Sequence, residues 1–110
     1  MRLPTELWVS ALIRRAQIAG AFATVARRGD DKAGAVLVKL YNPLTREVRL
    51  YAQASTGDDE AIWMEPKPGS DEMEIDAYAA RQASHDRDLW LVEIEDRQGR
   101  DFLTEKMEKR

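Results

Sequence analysis

The sequence contains no cysteine. That excludes disulfides, a thiolate nucleophile and cysteine-ligated zinc, and it fits a reducing compartment. Histidine is nearly absent too. His85 stands alone, in Ser84-His85-Asp86-Arg87. Immediate neighbours on a chain do not present their side chains to one another, so no nucleophile–base–carboxylate relay follows from this run. His85 reads as a polar residue closing a helix, where a cation suits the helix dipole. The glycines are scattered and fit turns. No Walker loop, dinucleotide fingerprint, nucleophile elbow or HExxH motif is present. Long apolar runs are missing as well. The stretch without charge from Ala16 to Ala26 is far short of the ~20 residues that span a bilayer, and the N-terminus has no signal-peptide run. These absences predict a cytoplasmic protein without a membrane partner, and no cofactor is expected.

What is present is a chain of 110 residues, one-third charged, with a net charge of −3. Its length predicts one domain able to build a core unaided. Residues 1–55 carry nine basic and four acidic groups, a net +5, and residues 56–110 carry eight basic and sixteen acidic groups, a net −8. Two halves of opposite sign either pair their surfaces or present two faces of opposite charge.

Hydrophobic periodicity gives the order of elements. Thr5 reads as an N-cap with Glu6 in the first turn. Trp8, Val9, Leu12, Ile13 and Ala16 follow at helical spacing up to Gly20. Ala21–Arg28 reads as a short strand. Ala33–Tyr41 and Arg46–Gln53 alternate with period two, separated by the breaker Asn42-Pro43. Short loops between successive strands predict a meander. Ser55–Glu60 is a polar loop, Ala61–Glu65 a short fourth strand, and Pro66–Ser70 a clear loop. Asp71 with Glu74 three residues on resembles a capping box, opening a helix to about Ser84 with Ile75, Tyr78, Ala79 and Gln82 on one stripe. Asp88–Glu95 is the strongest strand. The pattern predicts an α+β domain over residues 1–104, in the order α-β-β-β-(β)-α-β. Its mostly antiparallel sheet of four to five strands is covered on one face by both helices. Residues 105–110 are expected to form a fraying charged tail.

Three blocks carry a resemblance: Glu6-Leu7-Trp8-Val9-Ser10-Ala11-Leu12 with Arg14-Arg15, then Gly34-Ala35-Val36-Leu37-Val38-Lys39, then Asp88-Leu89-Trp90-Leu91-Val92-Glu93-Ile94-Glu95-Asp96. Together they resemble a family of small alphaproteobacterial proteins known only as a domain of unknown function, number fourteen ninety-one, over about Leu3 to Leu103. The resemblance implies a bacterial, stand-alone protein and carries over no activity, cofactor or catalytic residue.

Three kinds of site are open to these residues. Trp63 lies between a polar loop and a proline-rich loop, flanked by Glu60 and Glu65, so it is expected to be exposed and to anchor a partner. Tyr41 and Tyr51 fall on the polar sides of their strands and are expected to line an open sheet face. This is the protein-interaction reading, with an unidentified partner or a second copy of the chain. Glu93 and Glu95 share a strand face about 6.6–6.8 Å apart. With Asp96 at the strand end they form a candidate Mg²⁺ or Mn²⁺ site, which Lys39 or the acids of 71–76 would complete if the fold brought them there. The bland alternative pairs these glutamates with Arg46 and Arg49. Arg14, Arg15, Arg27 and Arg28 are the candidate phosphate contacts of a nucleic-acid binder, against which the pI of about 5.2 argues. With no catalytic constellation, the interaction module is the favoured class.

Overall fold

The computed structural model describes residues 3–55 and 61–107. The elements run α1 (Thr5–Ile18), β1 (Phe22–Arg27), β2 (Val36–Tyr41), β3 (Val48–Ser55), β4 (Ala61–Met64), α2 (Glu72–His85), β5 (Trp90–Glu95) and β6 (Lys106–Met107). The α+β class and the order of elements from α1 to β5 are those the sequence predicts, and β6 lies in the stretch expected as a tail. The strands form one sheet in the order β1-β5-β2-β3-β4-β6. The β1–β5, β2–β3 and β3–β4 pairs are antiparallel, and β2–β5 and β4–β6 are parallel. The sheet is therefore mixed. Of the polar loop expected at 55–60, only Ser55 lies within the described residues.

Two expectations about the sheet are corrected. The meander covers β2, β3 and β4 only, because β5 inserts between β1 and β2 and runs parallel to β2. The helices also do not share a face. Val9, Leu12 and Ala16 of α1 pack on Val36, Val38, Leu40, Trp90, Val92 and Ile94. Ile75 and Ala79 of α2 pack on Leu37 and Leu50 from the opposite side. A strand between two layers must be apolar on both faces, and Val36 through Leu40 are all buried.

Local chemistry explains the helix ends. Asp71 Oδ1 accepts from the Glu74 amide at 2.9 Å, so the α2 cap forms as its sequence predicts. α1 starts differently. Thr5 is its first helical residue and caps nothing with its side chain. Instead the Thr5 and Glu6 amides donate to the carbonyls of Lys32 and Asp31, and the Thr5 hydroxyl donates to the Gly34 carbonyl at 3.0 Å. The loop between β1 and β2 thus satisfies the orphan donors of α1. The same loop grips Trp90, whose indole N–H donates to the Asp30 carbonyl at 2.7 Å. Gly29 and Gly34 permit this approach, since a Cβ on either would collide with the Asp88 carbonyl and the Trp90 ring.

Residues 105–107 also pack against the body. Glu105 accepts from the indole N–H of Trp8 at 2.8 Å and of Trp63 at 3.2 Å, and β6 pairs with β4. Glu105, Lys106 and Met107 fall in the stretch expected as a fraying charged tail. Residues 108–110 lie outside the described residues.

Candidate functional site

The face that α2 covers is only partly covered. α2 lies over β2 and β3, through Leu37, Leu50 and Val48, and over the start of β5, through Leu91, while Glu93 and Glu95 of β5 and Phe22 and Thr24 of β1 stay exposed. The register sets the side chains there in rows: Phe22 beside Glu95 beside Tyr41, and Thr24 beside Glu93 beside Lys39. Two grooves meet at this end of the sheet. One, of ≈ 430 Å³, is lined by Phe22, Thr24, Tyr41, Glu72, Glu93 and Glu95. The other, of ≈ 370 Å³, is lined by Gly20, Phe22, Leu44, Glu95, Asp96 and Arg100. Phe22 and Glu95 belong to both. Phe22 is 73% exposed and Leu44 71%, so two large apolar side chains, largely in solvent, line the same groove as the Glu95 carboxylate.

The charges are unequally satisfied. Lys39 is 8% exposed, and its ammonium donates to Glu72 at 2.8 Å and Asp76 at 2.7 Å. Burial would push its pKa down, but the bonds to the two carboxylates outweigh burial and hold it above the ordinary lysine value. Both of those contacts are directed at α2. Glu93 and Glu95 are exposed and make no ion pair among the described residues. The rim is therefore acidic with aromatic walls.

The second groove is held by Asp96, which is 4% exposed. Its two carboxylate oxygens accept from Arg100 Nε at 2.9 Å and a terminal guanidinium nitrogen at 3.0 Å, and the Arg100 amide donates to it at 2.8 Å. The Arg100 bonds lower the Asp96 pKa despite burial. The Arg100 guanidinium also donates to the Ala19 carbonyl at 3.2 Å and lies over the Phe102 ring at 5.0 Å. This ties the chain after β5 to the end of α1.

Residues 3–104 match the family described as protein of unknown function DUF1491. The chain belongs to the DUF1491 family. A crystal structure of a DUF1491 protein from Caulobacter crescentus CB15 is 55% identical, covers 97% of this chain and 100% of that one, and superposes with a TM-score of 0.92. A solution structure of a DUF1491 protein from that bacterium is again 55% identical over 99% of both chains, with a TM-score of 0.92. The solution structure of protein Atu0922 from A. tumefaciens is 36% identical, covers 100% of this chain and 99% of that one, and has a TM-score of 0.82. No curated protein matches the chain.

The DUF1491 fold gathers only some of the residues singled out in the sequence. Trp63 is not exposed. Its exposure is 0%, and its ring stacks on Trp8 with centroids 5.4 Å apart. A polar sequence neighbourhood is overridden because Trp8 supplies a ring and Glu105 an acceptor. Tyr51 is likewise core, buried with Val38 and Trp63 on the α1 side; only Tyr41 of the two tyrosines reaches the open face. The four arginines do not form one patch. Arg28 bonds Glu6 at 3.0 Å and Asp31 at 2.7 Å and lies over Trp90, at the start of α1. Arg15 donates to the Phe102 carbonyl at 3.0 Å, near the other end of that helix. Arg27 donates to the Arg87 carbonyl, and Arg14 is exposed.

Glu93 and Glu95 stay together, but Asp96 is turned to the other face and committed to Arg100. Lys39 lies beside Glu93 in the register and bonds Asp76, and Glu72 lines the same groove as Glu93. However, the Lys39 ammonium already occupies the place between Glu72 and Asp76 where a cation would sit. No group of three or more His, Asp or Glu side chains among the described residues is arranged to hold a metal ion. Arg49 bonds Glu47 and Glu65 rather than the β5 glutamates. No helix among the described residues is long and apolar enough to cross a membrane.

Phe22, Leu44 and Glu105 carry no sequence signal. In AFATVARR neither alternate set is clearly apolar, so nothing marks Phe22 as outward-facing.

Proposed function

We propose that this DUF1491 chain is a small protein-interaction module of the bacterial cytoplasm, and that it engages its partner through the Phe22–Glu95 end of the sheet. The observation that carries this reading is the exposure of Phe22 and Leu44 around Glu95, where two grooves meet. Covering a phenylalanine of that exposure stabilises a complex by roughly 1.5–3 kcal/mol, the scale of an interface hot spot. Glu95 and Glu93 give the surface a sign and so a basis for selecting the partner. The corner is also built on rigid elements, since Asp96 and Arg100 fix the end of β5 directly behind it. The two bacterial relatives support a bacterial origin.

The test is affinity capture of the tagged protein from its own cells after nuclease treatment, comparing wild type, Phe22→Ser and Met73→Ser. Met73 is 80% exposed on α2 and serves as the control. A stoichiometric protein retained by wild type and Met73→Ser but lost by Phe22→Ser supports the reading. Identical capture by all three chains contradicts it.

A further inference from the structure

β1 is the first strand of the sheet, and among the described residues no strand lies on its outer side. Its free edge runs from Phe22 to Arg27. An unpaired edge presents backbone donors and acceptors that an extended peptide can complete. The edge is not uniform. Its register breaks between Val25 and Arg27, a bulge that limits pairing at that end, and the Arg28 charge there is already met by Glu6 and Asp31. At the Phe22 end the neighbours are acidic. Glu95 sits across from Phe22 and Glu93 across from Thr24, and neither has an ion pair among the described residues.

The spacing of these groups matches that of an added strand. Glu93 and Glu95 are two residues apart, about 6.6–6.8 Å, which is also the separation of alternate residues on a strand pairing with β1. Such a strand lies two strand spacings from β5, about 10 Å. An extended arginine and a glutamate bridge that distance across Thr24, which is small, and the exposed Phe22 ring beside Glu95 supplies an aromatic contact for the second cation. Lys39 does not compete for these carboxylates, because both its short contacts go to Glu72 and Asp76.

We infer that the β1 edge takes an extended, basic segment of a partner protein as an added strand, with two alternate arginine or lysine side chains lying over Thr24 and Phe22 onto Glu93 and Glu95. A second copy of this chain fits less well. Pairing β1 with its own copy brings two more glutamates of the same sign to the same face. The inference rests on the interaction reading above and specifies the chemistry of the partner.

The test uses the full, ¹⁵N-labelled chain and a pool of twelve-residue peptides with arginine at alternate positions and mixed Thr, Val, Ile and Ser between. A matched pool carries glutamate in place of arginine. The arginine pool is expected to shift the amides of residues 22–25 and slow their hydrogen exchange. Glu93→Lys/Glu95→Lys is expected to weaken this binding by about tenfold or more, and the glutamate pool is expected to leave the spectrum unchanged. Four results overturn the inference: no change at β1, equal binding of both pools, shifts confined to the α2 acids without slowed exchange in β1, or protection of β1 in a peptide-free dimer. If the pool fails while Phe22-dependent capture persists, only the basic strand falls. If capture fails as well, the interaction reading falls with it.

Discussion

The rings of Trp8 and Trp63 stack with centroids 5.4 Å apart and an interplanar angle of 26°. One comes from α1 and the other from β4, and the Glu105 carboxylate accepts from both indoles. Helix, sheet and chain end are locked at a single point.

Glu105→Ala is expected to cost about 2 kcal/mol, because two indole donors lose a charged acceptor, while Glu105→Gln costs less because an amide oxygen still accepts. Burial would raise the Glu105 pKa, but the bonds from Trp8 and Trp63 outweigh it and the net shift is downward. A depressed folded value contributes stability above the unfolded value, about 4.3. That contribution is lost as pH falls through the folded value. The gap in denaturation midpoint between wild type and Glu105→Gln is therefore widest near neutrality and closes in acid. A gap independent of pH contradicts this assignment.

Lys39→Met is expected to stay within about 1 kcal/mol of wild type, since an apolar side chain of similar length replaces a buried ion group at little net cost. Glu72→Ala/Asp76→Ala leaves the ammonium buried without partners and is expected to cost more, about 1–2 kcal/mol, the half-exposed acids keeping the figure modest. The raised Lys39 pKa adds stability that is present below about 10.4 and lost as pH rises through the folded value. Alkaline unfolding of wild type and Lys39→Met checks the sign: wild type should lose its midpoint more steeply.

Gly34→Ala is expected to destabilise by about 1–3 kcal/mol through overpacking. The new methyl meets the Asp88 carbonyl and the Trp90 ring, neither of which is the loose end of a flexible chain. Urea denaturation followed by tryptophan fluorescence reads the change. A loss under about 0.5 kcal/mol shows that the loop can move away from Trp90.

Much of this fold was legible because it is local. Helix α2, its Asp71 cap and strands β2, β3 and β5 follow from period and capping signals within a few residues. The relation between elements was not legible. Val36 to Leu40 reads as an alternating strand, yet it is buried on both faces because β5, 54 residues on, pairs beside it and the helices divide between the two sides. Trp63 reads as a loop-edge anchor because its partners, Trp8 and Glu105, are distant in sequence. The candidate site shows the same division. Glu93 and Glu95 were recognisable as a pair from their spacing alone, and Tyr41 from its position. Phe22 was not, because its neighbours in β1 are small and mark neither face.

The interface proposed at the Phe22 end of the sheet requires another protein to cover Phe22 in the cell. The most direct measurement places a photo-cross-linking phenylalanine at position 22 in the native cells, with the same residue at position 73 as control. The proposed interface requires a discrete protein adduct at 22 and none at 73. Equal labelling at both positions, or none at 22 in a folded protein, would contradict it.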